Sequence, residues 1–124
     1  MREASLLKYK KGEKKKYAVR IYIKGDQYKV VKFGQNGAMD FTLHSESVRD
    51  GKRIEYLRRH GGKPPTYTTS TKEDWSPKGI YTPGYWARWL LWEKPSIRKA
   101  IDFLRNEKKI DIIQRKGEIY DLPI

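Results

Sequence analysis

A chain of 124 residues is the size of a single domain. With 37% hydrophobic and 35% charged residues it can bury only a small core under a heavily charged surface, and its four Trp, nine Tyr and three Phe exclude a fully disordered chain. The formal net charge of +13 attracts polyanions and acidic surfaces, and the lack of cysteine excludes disulfide frameworks and thiolate zinc sites.

The opening residues carry no long apolar run, so no signal peptide is expected, and no stretch reads as a membrane span. Positive charge is loaded at the front, with eleven Lys/Arg against three Asp/Glu in residues 1–32. Residues 1–16, with Lys8, Lys10, Lys11, Lys14, Lys15 and Lys16, are read as a basic N-terminal arm. Arms of this kind bind nucleic acid or remain solvated tails, and both readings stay open.

From Tyr17 the pattern alternates, with Tyr17, Val19, Ile21 and Ile23 on one face of a strand. Gly25-Asp26 then separates it from a second β-rich run over 27–33, which predicts a hairpin with a two-residue turn. A hairpin alone is marginal and needs a cover. Phe33-Gly34-Gln35-Asn36-Gly37 lacks the spacing of a dinucleotide or phosphate loop and reads as a turn. A helix is predicted from Ser45 or Ser47, with Val48, Ile54, Tyr56 and Leu57 interleaved with Arg49, Lys52, Arg53, Arg58 and Arg59. Gly61-Gly62 ends it. Residues 61–81 are rich in Pro, Thr and Gly, and so long a loop is functional, disordered or laid across a neighbouring molecule.

Three of the four tryptophans fall between Pro83 and Pro95. Thr82 is placed to cap a helix, Pro83 suits its first position, and Pro95 ends it after about three turns. Trp86, Trp89 and Leu90 share one face, and Tyr85 and Trp92 cover the flanks. A helix apolar nearly all round is buried, in its own core or against a partner. The core comes first as the cover for the hairpin; as a docking surface, Trp75, Tyr85, Trp86, Trp89 and Trp92 form the candidate partner-binding set. Ser96 caps a further amphipathic helix through Ile97, Ala100, Ile101 and Leu104, with Arg98, Lys99, Asp102 and Arg105 outward. The organisation is a basic arm (1–16), one α+β domain (17–108) and a C-terminal hairpin or extended tail (109–124). The fold class is α+β, an N-terminal hairpin packed on two or three short helices.

Chemistry is sparse. Asp40, His44, Glu46 and Asp50 are the residues that could gather round a metal, but their spacing matches no known mechanism, and His60 ends a helix beside Arg58 and Arg59. No nucleophile elbow, HExxH or EF-hand is present. The expectation is therefore a protein without catalytic residues, metal or cofactor.

The order Lys32-Phe33-Gly34, Asp40-Phe41-Thr42-x-His44, Arg53-x-x-Tyr56-x-x-Arg59-His60, Trp75, then residues 84–95 with the core Trp86-x-x-Trp89-Leu90-Leu91-Trp92-x-Lys94-Pro95 is distinctive. Over residues 30–104 it resembles a short basic domain of unknown function encoded by large double-stranded-DNA viruses of eukaryotes. The spacer between His60 and Trp75 is longer here. The resemblance implies a viral source and a recurrent fold, and with them a virion component made in the host cytoplasm or nucleus. Two functions follow. In the first, a minor capsid or cement protein ties neighbouring subunits together through its aromatic set, with capsid or other virion proteins as partners. In the second, DNA or RNA is bound without sequence choice through residues 8–16 and the Arg49, Arg53, Arg58 and Arg59 face, with Tyr9, Tyr17 or Tyr67 stacking on unpaired bases. Extended termini, the long loop and the lack of a nucleic-acid motif favour the first.

Overall fold

Apolar residues at Tyr17, Val19 and Ile21 and at Val31 and Phe33, two apart along each strand, give the sheet an apolar inner face. The computed structural model describes residues 2–9, 14–25, 27–35 and 39–113. In chain order these form β1 (Arg2–Lys8), β2 (Lys15–Lys24), β3 (Gln27–Gln35), α1 (Arg49–Arg59), α2 (Pro83–Trp86), α3 (Ile97–Glu107) and β4 (Ile110–Ile112). The sheet order is β3-β2-β1-β4, with β4 parallel to β1 and the other neighbours antiparallel. Pairing sets Tyr17 against Phe33 and Val19 against both Val31 and Leu6, so every second side chain enters one core. Tyr17 and Phe33 stack with centroids 5.7 Å apart.

The predicted hairpin is present, closed by the Lys24–Gln27 pair, with Gly25 at φ +58°. Asp26 lies outside the described residues. Ile23 departs from the expected inner row and is 51% exposed. A register shift between Tyr22 and Lys24 breaks the alternation just before it.

Residues 2–8 correct the expected arm. They form an inner strand, flanked by β2 and β4, that buries Ala4, Ser5, Leu6 and Leu7. Four small or apolar residues beside a lysine run are too few to show a strand by periodicity, and long-range pairing decides the matter. Lys10 and Lys11 lie outside the described residues. At the other end, 110–112 pair with 2–4, while 114–124, part of the expected hairpin or tail, lie outside the described residues.

The helices cover one face of this sheet. α1 starts at Arg49, after turns in which the Ser45 carbonyl accepts from the amides of Val48 and Arg49. It ends in a Schellman motif: Gly62 N–H donates to the Leu57 carbonyl at 2.7 Å and Gly61 N–H to that of Arg58 at 3.0 Å, with Gly61 at φ +80°. The tryptophan segment is only one α-turn long. From Ala87 to Leu91 it widens into a π-helix. Thr82 does not cap it; its hydroxyl donates to the Gly79 carbonyl at 2.7 Å. Trp86 meets the sheet through Phe33, with centroids 6.2 Å apart. In α3 the Ser96 cap forms as expected, accepting from Lys99 N–H at 3.2 Å, and Ala100 and Leu104 are buried.

The loop over 61–81 packs on its own domain and forms the third wall of the core. Tyr67, Trp75 and Ile80 are buried. Two indoles of the tryptophan turn tie into this loop: Trp86 Nε1 donates to the Ile80 carbonyl at 2.7 Å and Trp89 Nε1 to the Trp75 carbonyl at 2.9 Å. A buried indole N–H needs such an acceptor, and the loop backbone supplies both. No helix among the described residues is long and apolar enough to cross a membrane.

Candidate functional site

Five aromatics were candidates for docking a partner, and all five are interior. Trp75, Tyr85, Trp86, Trp89 and Trp92 are each 6% exposed or less. The expectation of an aromatic docking surface is thereby corrected. The sheet, α1, α3 and the 61–81 loop cover most of the segment, and what stays open is the edge of Ala87, Leu91 and Trp92 that lines a cleft.

The interior also holds an ion network that periodicity did not show. Arg88 stands in the most apolar run of the chain and is 1% exposed. Its Nη2 and Nε donate to the Tyr67 carbonyl at 2.8 and 3.1 Å, and its Nη1 donates to Glu93 Oε1 at 2.9 Å. The guanidinium carbon lies 4.2 Å from the centroid of the Trp89 ring. Arg53, expected on a polyanion-binding face, turns inward instead. Its Nη2 donates to the same Glu93 oxygen at 3.0 Å and its Nε to the Trp92 carbonyl at 2.7 Å. Burial lowers the Arg88 pKa from its usual value, and Glu93 opposes that shift. Two guanidiniums on one carboxylate lock α1 to the tryptophan turn. The signal available in the sequence was Arg88 with Glu93 five residues on, which an α-helical wheel does not bring together.

The remaining basic candidates divide by exposure. Lys8, Lys14, Lys15, Arg58 and Arg59 are exposed, and Arg49 is half-buried. Arg58 Nε donates to the Tyr67 hydroxyl at 3.2 Å. Lys16 is 11% exposed and pairs with Asp40 at 2.8 Å. Asp40 Oδ1 also accepts from the Thr42 N–H at 2.8 Å, which fixes the loop ahead of α1. Among the described residues no three His, Asp or Glu gather as a metal site. His44 packs beside Trp92, with centroids 6.2 Å apart.

One cleft of about 490 Å³ collects what is left. It opens between the start of β2, the end of β3, the C-terminal turn of α1 and the tryptophan turn. Lys15, Lys16, Arg59 and Asp40 line it together with Met39, Leu91 and Trp92. His60 is also in its lining, stacked on Tyr56 with centroids 4.1 Å apart, its Nδ1 3.2 Å from Glu73 Oε2. Glu73 accepts a second bond, from Trp75 Nε1 at 2.8 Å. Its carboxylate fills the space beside Gly84, where a Cβ would come within 2.7 Å of the carboxyl carbon. Burial and the nearby Glu73 raise the Tyr56 phenol pKa well above the usual value. The cleft's acids are thus engaged by Lys16, Thr42, His60 and Trp75, whereas Lys15 and Arg59 make no ion pair among the described residues. Lys72 adds a cation beside Arg59, its Nζ donating to the Arg59 carbonyl at 3.1 Å.

Comparison with protein-family models, with curated proteins and with solved structures returns no match.

Proposed function

We propose that this is a non-enzymatic nucleic-acid-binding protein that holds DNA or RNA by its phosphates, without choosing sequence. One observation carries the reading: the candidate docking aromatics are consumed by the core, and the cations that remain outside include Lys14, Lys15, Arg58, Arg59 and Lys72. A net charge of +13 with exposed Lys and Arg supplies the counterion-release affinity that such binding needs. Phosphate contacts position a nucleic acid but do not read its bases. The test is fluorescence anisotropy with duplexes of unrelated sequence at low salt. Equal affinities support the reading; a marked preference for one sequence, or no binding, overturns it.

A second reading, a minor capsid or cement protein that ties virion subunits together, keeps one support. Met39, Leu43 and Val48, in the stretch leading into α1, are each about half exposed, apolar surface that a protein contact would cover. The two readings meet in a virion protein that touches the packaged genome. Retention with the shell after the genome is released from purified particles would favour the second.

A further inference from the structure

We propose that the cleft beside α1 is a pocket for one unpaired nucleotide of a nucleic-acid strand. The inference rests on the phosphate-binding reading and narrows it. The exposed cations serve any nucleic acid, while this pocket takes a unit that an intact duplex does not present.

The cleft has the size and the mixed chemistry this requires. A volume of about 490 Å³ lies within the range of small-ligand sites and far exceeds what a lone phosphate would fill. Its cations include Lys15 and Arg59, exposed and uncommitted to any carboxylate among the described residues. The lining also offers apolar side chains, Met39, Leu91 and Trp92. Phosphate held by Lys15 and Arg59 leaves the base to lie against these apolar groups. With Nδ1 engaged by Glu73, the Nε2 of His60 is the ring nitrogen left to meet a ligand.

Asp40 and Glu73 also line the cleft and oppose an anion. Lys16 neutralises Asp40, and Glu73 is held by hydrogen bonds from His60 and Trp75, so Lys15, Lys16 and Arg59 still outnumber the two carboxylates in the lining. The net charge of the lining is therefore positive. A paired base would have to leave its stack to enter, which costs energy that a single strand does not spend. A positive groove beside an apolar wall is the general form of single-strand sites.

The test uses the full chain and three probes: a labelled short single strand, the matching blunt duplex, and adenosine 5′-monophosphate. The single strand should bind about tenfold more tightly than the duplex, since entry costs the duplex its stacking. Excess adenosine 5′-monophosphate should displace the single strand and change the tryptophan emission, because Trp92 lines the cleft. The double variant Lys15→Gln/Arg59→Gln should lose about tenfold in single-strand affinity, beyond the loss in a charge-matched Arg98→Gln/Lys99→Gln control on exposed α3 positions, which reports only the diffuse salt-dependent attraction. Equal losses in the two variants, equal affinity for strand and duplex, or no displacement by the nucleotide would each overturn the pocket while leaving phosphate binding intact. Absence of binding to either nucleic acid at low salt would remove the underlying reading as well. The nucleotide competition needs no substitution, so it stands even if a variant folds poorly.

Discussion

Tyr56 lies flat on Trp92, with ring centroids 4.2 Å apart and planes 8° from parallel. His60 covers the opposite side of Tyr56, so α1 contributes two rings of a three-ring stack and the tryptophan turn contributes the third. The stack joins core to cleft. It also explains why Trp92 is not an anchor for another protein, because α1 already occupies its ring face.

Trp86→Ala should destabilise the fold by roughly 3–5 kcal/mol, the range for deleting a large buried aromatic. Trp86 is wholly buried, packs on Phe33 and donates to the Ile80 carbonyl at 2.7 Å. Denaturant unfolding of the variant checks this; near-wild-type stability would mean the indole is not a core element.

Arg88→Met should cost about 3–5 kcal/mol, as when one partner of a buried ion pair is removed. It leaves the Tyr67 carbonyl without its donors and loosens the 61–81 loop, which hydrogen exchange of that loop would report. A loss no larger than an exposed pair gives, about 1 kcal/mol or less, would show that the network contributes little.

Stability should fall in alkali. Burial pushes the phenols of Tyr17 and Tyr85 up to about 12 from the usual value of 10.0. The folded protein therefore holds protons that the unfolded chain has released, and this contribution is whole below about pH 10 and lost as the pH rises towards 12. Melting curves across that window should show the decline, and Tyr17→Phe or Tyr85→Phe should each remove part of it. A flat profile in the parent protein would place both phenols in water.

Deleting residues 1–8 should abolish cooperative folding, because β1 is hydrogen-bonded to β2 on one side and β4 on the other. Circular dichroism and a thermal melt suffice to check it. A truncated protein with a sharp, near-native transition would restore the picture of a separable arm.

The sequence made the hairpin, both long helices and the buried tryptophan segment legible, because each rests on local signals: alternation over 17–23, Gly61-Gly62 at a helix end, Ser96 ahead of an amphipathic run. What escaped depended on contacts distant in sequence. β1 becomes an inner strand only when β2 and β4 flank it. The 61–81 loop looked free because its composition is that of a linker, yet its backbone carbonyls accept from Trp86, Trp89 and Arg88. Arg53 looked like a surface charge until Glu93 gave it a partner inside. The cleft was out of reach for the same reason, since Lys15, Met39, Arg59, Glu73 and Trp92 converge only through the fold.

The most direct test of the account is duplex DNA affinity across a salt series. If exposed cations hold phosphates, log K should fall linearly with log salt, by about 0.9 for each phosphate contact, and binding should weaken alike for unrelated sequences. Lys14→Gln/Lys15→Gln should flatten that slope. Affinity that stays constant from low to moderate salt, or no binding at low salt, would contradict the claim that this basic surface is a nucleic-acid interface.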